Sequence, residues 1–116
     1  MKRYLFLFLA VLFFSGCDET IFGTTTWKYE VTGSAATVNI TMHDKEENIV
    51  QHNNVNTPWS VSFSRDNIWS FHAYVSAQIR GSSGDVTVKI YRNDKQVKSA
   101  TSTGAYATAT ASYNYD

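Results

Sequence analysis

From Trp27 to Tyr113 the chain keeps switching between apolar and polar residues with a period of two, and no window after the N-terminal segment holds helical spacing. Successive side chains of a strand point to opposite faces, so this alternation fits a half-buried strand and little else. Trp27, Tyr29 and Val31 alternate with Lys28, Glu30 and Thr32. Val38, Ile40 and Met42 alternate with Asn39, Thr41 and His43, and Trp59, Val61 and Phe63 with Ser60, Ser62 and Ser64. Val86, Val88 and Ile90 form the inward set of a further strand. Turn-forming residues punctuate the runs: Asp44 to Asn48, Asn53-Asn54, Arg65-Asp66-Asn67, Gly81 to Asp85, Asn93-Asp94 and Ser102-Thr103-Gly104. Seven or eight short strands spaced by such turns predict an all-β sandwich or barrel.

Several local features carry expectations of their own. A short strand is predicted from Ile49 to His52, ended by Asn53-Asn54. Pro58, the only proline, cannot donate to a ladder and so belongs on an edge or at a strand start. The run from Ile68 to Arg80 is long for a strand, which predicts a bend or bulge inside it. In the last strand, predicted from Ala105 to about Tyr113, Ala105, Ala107, Ala109 and Ala111 share one face. Alanine is a poor strand former, so such a row implies room made for large side chains opposite, with Trp27, Trp69 and Phe71 as fillers.

The N-terminus reads differently. Met1-Lys2-Arg3 precedes an apolar block of 11 residues, Tyr4 to Phe14, then Ser15-Gly16-Cys17. At about 1.5 Å per helical residue the block reaches roughly 16 Å, short of a bilayer core of about 30 Å. The order is that of a secretory signal peptide, and Phe14-Ser15-Gly16-Cys17 resembles a bacterial lipobox, with Phe14 departing from the usual leucine. Residues 1–16 are therefore expected to be a cleaved lipoprotein signal peptide, with Cys17 lipidated. A plain secretory peptide with a free thiol at Cys17 is the alternative. Residues 17–26 then form a lipid-anchored tether and 27–116 a single β-sandwich domain. Loss of Lys2 and Arg3 takes the 10 basic residues to 8 against 10 acidic ones, a formal balance of −2. No basic run remains, which argues against nucleic acid as a partner. With Cys17 the only cysteine, no internal disulfide can form.

Catalytic and metal-binding patterns are missing from the chain. His43, His52 and His72 match no ligand spacing and read as solvated surface residues. There is no G-x-S-x-G elbow, and Asp44, Glu46 and Glu47 lie in a turn without the glycine of a calcium loop. The expectation is a non-enzyme without metal or cofactor. The polar face of the longest run, with His72, Tyr74, Gln78 and Arg80, mixes aromatic and polar groups as interfaces do and is the candidate interaction face.

From Tyr29 onward a set of short motifs appears in order. Tyr29-Glu30-Val31-Thr32-Gly33-Ser34-Ala35 and Val38-Asn39-Ile40-Thr41 come first, then Pro58-Trp59-Ser60 and Ala77-Gln78. Val86 to Tyr91, Val97 and Thr103-Gly104-Ala105-Tyr106-Ala107 follow. Together they resemble the soluble domain of the MmpS family of transport accessory proteins. The resemblance implies an immunoglobulin-like β-sandwich and a non-catalytic partner of an RND-type (MmpL-like) exporter of lipids or siderophores. Relatives usually keep an uncleaved N-terminal membrane helix. Many also join late strands by a cysteine pair; here Val88 takes one place and the stretch Ala109 to Ser112 the other.

The functional expectation is an envelope lipoprotein, periplasmic or cell-surface, held to the membrane by lipid on Cys17 and serving as an accessory or binding subunit of an RND-type transporter. The alternative is a surface-exposed adhesin-like or structural lipoprotein with no transporter partner. Asp18-Glu19 after the cysteine would suit inner-membrane retention in some bacteria and surface export in others.

Overall fold

The computed structural model describes residues 23–66 and 70–115. The segment expected to be a signal peptide, Cys17 and Trp69 lie outside the described residues. Eight strands make up the domain: β1 (Thr24–Thr32), β2 (Thr37–His43), β3 (Ile49–Asn56), β4 (Trp59–Asp66), β5 (Phe71–Ile79), β6 (Asp85–Arg92), β7 (Lys95–Thr103) and β8 (Thr108–Tyr115). They pair antiparallel into two four-stranded sheets ordered β4-β1-β6-β7 and β3-β2-β5-β8. The all-β sandwich that the alternation predicts and the resemblance describes as immunoglobulin-like is what the chain forms, with eight strands against the seven or eight expected.

The period of two sorts the residues into a core and two wet faces. Trp27, Tyr29 and Val31 of β1 and Val86, Val88 and Ile90 of β6 are fully buried from one sheet. Val38, Ile40 and Met42 of β2 and Phe71, Ala73, Val75, Ala77 and Ile79 of β5 meet them from the other. Trp27 sits among Phe71, Tyr113 and Tyr115, with ring centroids 5.1, 6.1 and 6.0 Å away. Val88 is fully buried, and β6 packs on β8, where Ala109 and Ala111 are buried too. Apolar contact thus fills the region around Val88, where the resemblance implied a cysteine pair in many family members.

Four local expectations are corrected. Strand β1 begins at Thr24, inside the segment read as a tether, and Thr25 is buried. Asn53-Asn54 does not end β3: Val38 pairs with Val55 and Ile40 with His52, so the two asparagines form a bulge opposite Asn39. Asn54 adopts the left-handed φ of 59° that asparagine tolerates. Strand β5 runs from Phe71 to Ile79 without a register shift against β2 or β8; the irregularities fall in β2–β3 and β6–β7. The alanine row is shorter than expected. Ala109 and Ala111 are buried, Ala107 is half-buried, and Ala105 is exposed in the turn before β8. Tyr113 and Tyr115 continue that inner face toward Trp27.

Candidate functional site

The outer face of the β3-β2-β5-β8 sheet carries His72, Tyr74 and Gln78, with Arg80 just past the end of β5. Strand alternation puts the first three on one side; pairing with β2, β3 and β8 decides what stands beside them. The result is two separate clusters divided by Ser76, which pairs with Thr41 and Thr110 across the sheet.

The first cluster surrounds His72 and Tyr74. The β2–β5 ladder runs from Val38–Ile79 to Met42–Val75. Beyond it the phenol of Tyr29 reaches across the sandwich, donating to the His43 carbonyl at 2.8 Å and accepting the Tyr74 N–H at 3.2 Å. The His43 Nδ1 lies 3.0 Å from the His72 carbonyl, and the His72 Nδ1 bonds Asn114 Oδ1. The two imidazoles stand 5.4 Å apart, and His43 is 5.2 Å from the Tyr74 ring. Glu47, from the β2–β3 turn, accepts the His72 N–H at 3.2 Å. His43 and His72 are therefore half-buried and tied into the sheet rather than freely solvated, which corrects that expectation.

Charge in this cluster is settled by burial at Tyr29 and by backbone groups at Asp44. Burial pushes the Tyr29 phenol well above its ordinary value, so it serves as a neutral bridge and not as a base. The Asp44 carboxylate accepts the N–H groups of Asn48 and Glu46, both at 2.9 Å, and these hold it below the usual range while closing the turn. On the opposite sheet, burial and the Glu30 carboxylate raise Tyr91, whose hydroxyl donates to Glu30 Oε1 at 2.9 Å. Each perturbed group thus has a structural cause visible in its own contacts.

The second cluster is a shallow depression of about 260 Å³ lined by Asn39, Gln78, Ile79, Arg80 and Tyr106. Arg80 Nη1 donates to Asn54 Oδ1 at 2.8 Å, and Asn54 N–H to Asn39 Oδ1 at 2.9 Å. Gln78 Nε2 donates to the Tyr106 carbonyl at 3.2 Å. Tyr106 is 62% exposed with φ of 54°, so the turn presents its ring to solvent. Asn39, Asn54 and Tyr106 were not among the residues that the sequence assigned to the interaction face. A large aromatic two residues after a turn glycine was the one available hint.

Chemically, both clusters offer amides, imidazoles, one guanidinium and aromatic faces, the groups of a binding surface. Among the described residues, no group of three or more His, Cys, Asp or Glu could hold a metal ion, and no helix is long and apolar enough to cross a membrane.

No curated protein matches the chain. A family model described as Mycobacterium membrane protein matches residues 15–113, from the end of the apolar block through seven of the eight strands and most of β8. That span covers the ordered motifs running from Tyr29 to Ala107. The chain belongs to this family of membrane-associated accessory proteins, the MmpS family.

Proposed function

We propose that this protein is a lipid-anchored, non-catalytic accessory subunit of an RND-type export system in a bacterial envelope. The observation that carries the reading is the family match from residue 15 to 113, which takes in both Cys17 and the sandwich. Lipid on Cys17 supplies the membrane attachment that relatives obtain from a helix. The outer sheet face, with His72, Tyr74, Gln78 and Arg80, supplies the contact surface. The Tyr29 phenol and the Asp44 carboxylate are both occupied by backbone groups, which supports binding as the activity.

The test is purification of the tagged full chain from detergent-solubilised membranes, wild type beside Cys17→Ser. Wild type is expected in the membrane fraction with an RND-type transporter co-purifying; Cys17→Ser is expected in the soluble fraction without it. A wild-type sample with no transporter enriched overturns the accessory role and leaves an adhesin-like or structural lipoprotein. A Cys17→Ser protein that stays in the membrane overturns the lipid anchor.

A further inference from the structure

Four strand edges border the two sheets, and three of them are blunted. Strand β3 carries the Asn53-Asn54 bulge. Strand β7 is irregular opposite Ile90 and Tyr91 and exposes Lys95 and Lys98. Strand β8 is covered where β7 packs along it, with Ser102 Oγ donating to the Thr108 carbonyl at 2.7 Å. Bulges, charges and covering elements are the means by which sheets avoid pairing with other chains.

Among the described residues, strand β4 has no bulge, and its charges, Arg65 and Asp66, stand only at its end. It pairs with β1 in unbroken register from Trp59–Val31 to Asp66–Thr24, so one edge is used throughout and the other has no strand partner among the described residues. Its outward side chains Ser60, Ser62 and Ser64 are exposed, small and uncharged, while Trp59, Val61 and Phe63 remain half-buried at the rim. No proline or lysine lies between Trp59 and Asp66.

We propose that β4 is a dimerisation edge that pairs antiparallel with β4 of a second copy about a two-fold axis at Ser62, joining two sheets into one. The strand's own sequence selects a second copy as occupant. In this register Val61 stands opposite Phe63 of the other copy, Ser60 opposite Ser64, and Trp59 opposite Arg65. Apolar residues face apolar ones and hydroxyls face hydroxyls, while the Arg65 guanidinium stays over the Phe71 ring of its own protomer at 4.4 Å. The only charges in the strand, Arg65 and Asp66, meet Trp59 and Pro58, so no like charges oppose. Centring on Phe63 instead would set Val61 against Arg65 and Ser60 against Asp66, a poorer match. Such symmetry, with one patch meeting itself, is what a closed two-fold dimer requires.

Cysteine crosslinking of the full chain tests the axis. Residues directly opposite in an antiparallel pair have Cα atoms about 4.5–5.5 Å apart, within the range a disulfide spans. Copper–phenanthroline with oxygen serves as the oxidant for the paired thiols, and wild type reports any background from Cys17. Ser62→Cys is expected to give a covalent dimer as its major product. Ser60→Cys and Ser64→Cys alone should stay at the wild-type level, and a mixture of the two should crosslink.

Ser62→Cys at background, Ser60→Cys crosslinking equally well, or Ser62→Cys joining a different protein would each overturn the proposal. Ser62→Glu adds a solution test, because its carboxylate would neighbour Lys28 within the protomer yet oppose its own copy across the axis. Sedimentation equilibrium should show the dimer weakened about tenfold or more with unchanged circular dichroism. A Ser62→Glu dimer as tight as wild type would also overturn it.

Discussion

The hydroxyl of Tyr29 stands in for a missing rung between β2 and β5, satisfying the His43 carbonyl and the Tyr74 N–H with one oxygen. Removing it leaves both backbone groups without that partner in a half-buried place, and stranding such a group costs about 1–3 kcal/mol. Tyr29→Phe should therefore lower the thermal midpoint although the ring still packs 5.5 Å from Phe63. The sign of the pH effect follows from burial. Because the folded phenol is raised above its unfolded value of 10.0, its stability contribution is full below pH 10 and declines as the pH climbs toward the folded value. Urea titrations across the alkaline range should find a decline in wild type that is smaller in Tyr29→Phe. An identical alkaline decline in the variant would assign the effect to other groups.

Strand β8 shows how one element divides between packing and turn. Ala109 and Ala111 are 2% exposed, under β6 and within the interlayer core, so an added isobutyl group has no room. Ala109→Leu and Ala111→Leu should each cost about 1–3 kcal/mol by overpacking. Ala105→Leu, in the exposed turn, should leave the midpoint unchanged. Equal effects at Ala105 and Ala109 would contradict the placement of this strand. The same contrast marks what could be read beforehand. Strands β1, β2 and β6 were legible because a fully buried inner face enforces strict alternation. Strand β3 was not, because an edge buries little and its Asn53-Asn54 pair carries a turn composition that only the register with Asn39 turns into a bulge. Likewise, His72, Tyr74 and Gln78 could be placed on one face by counting in twos. Their neighbours His43, Asn54 and Tyr106 could not, since long-range pairing brings them there.

Across the whole molecule, the fold and the proposed attachment draw on different residues. The buried core runs from Trp27 to Ala111 and mixes side chains of both sheets into one cluster, so its parts should unfold together. Nothing covalent holds it closed: Cys17 is the only cysteine, and Val88 is fully buried within the apolar core. A native bridge in a small domain contributes about 2–4 kcal/mol, and its loss from a domain of this size would move the midpoint by on the order of 10 °C or more. Here a reductant should move it by nothing measurable. Cys17→Ser should behave the same way, keeping the wild-type midpoint and a single transition in which tryptophan fluorescence and far-ultraviolet circular dichroism coincide. What the substitution should change is distribution between membrane and soluble fractions, because the role proposed for the thiol is attachment alone. A lowered midpoint in Cys17→Ser, with fractionation unchanged, would mean the N-terminal segment belongs to the folded unit and the division between anchor and sandwich is misplaced.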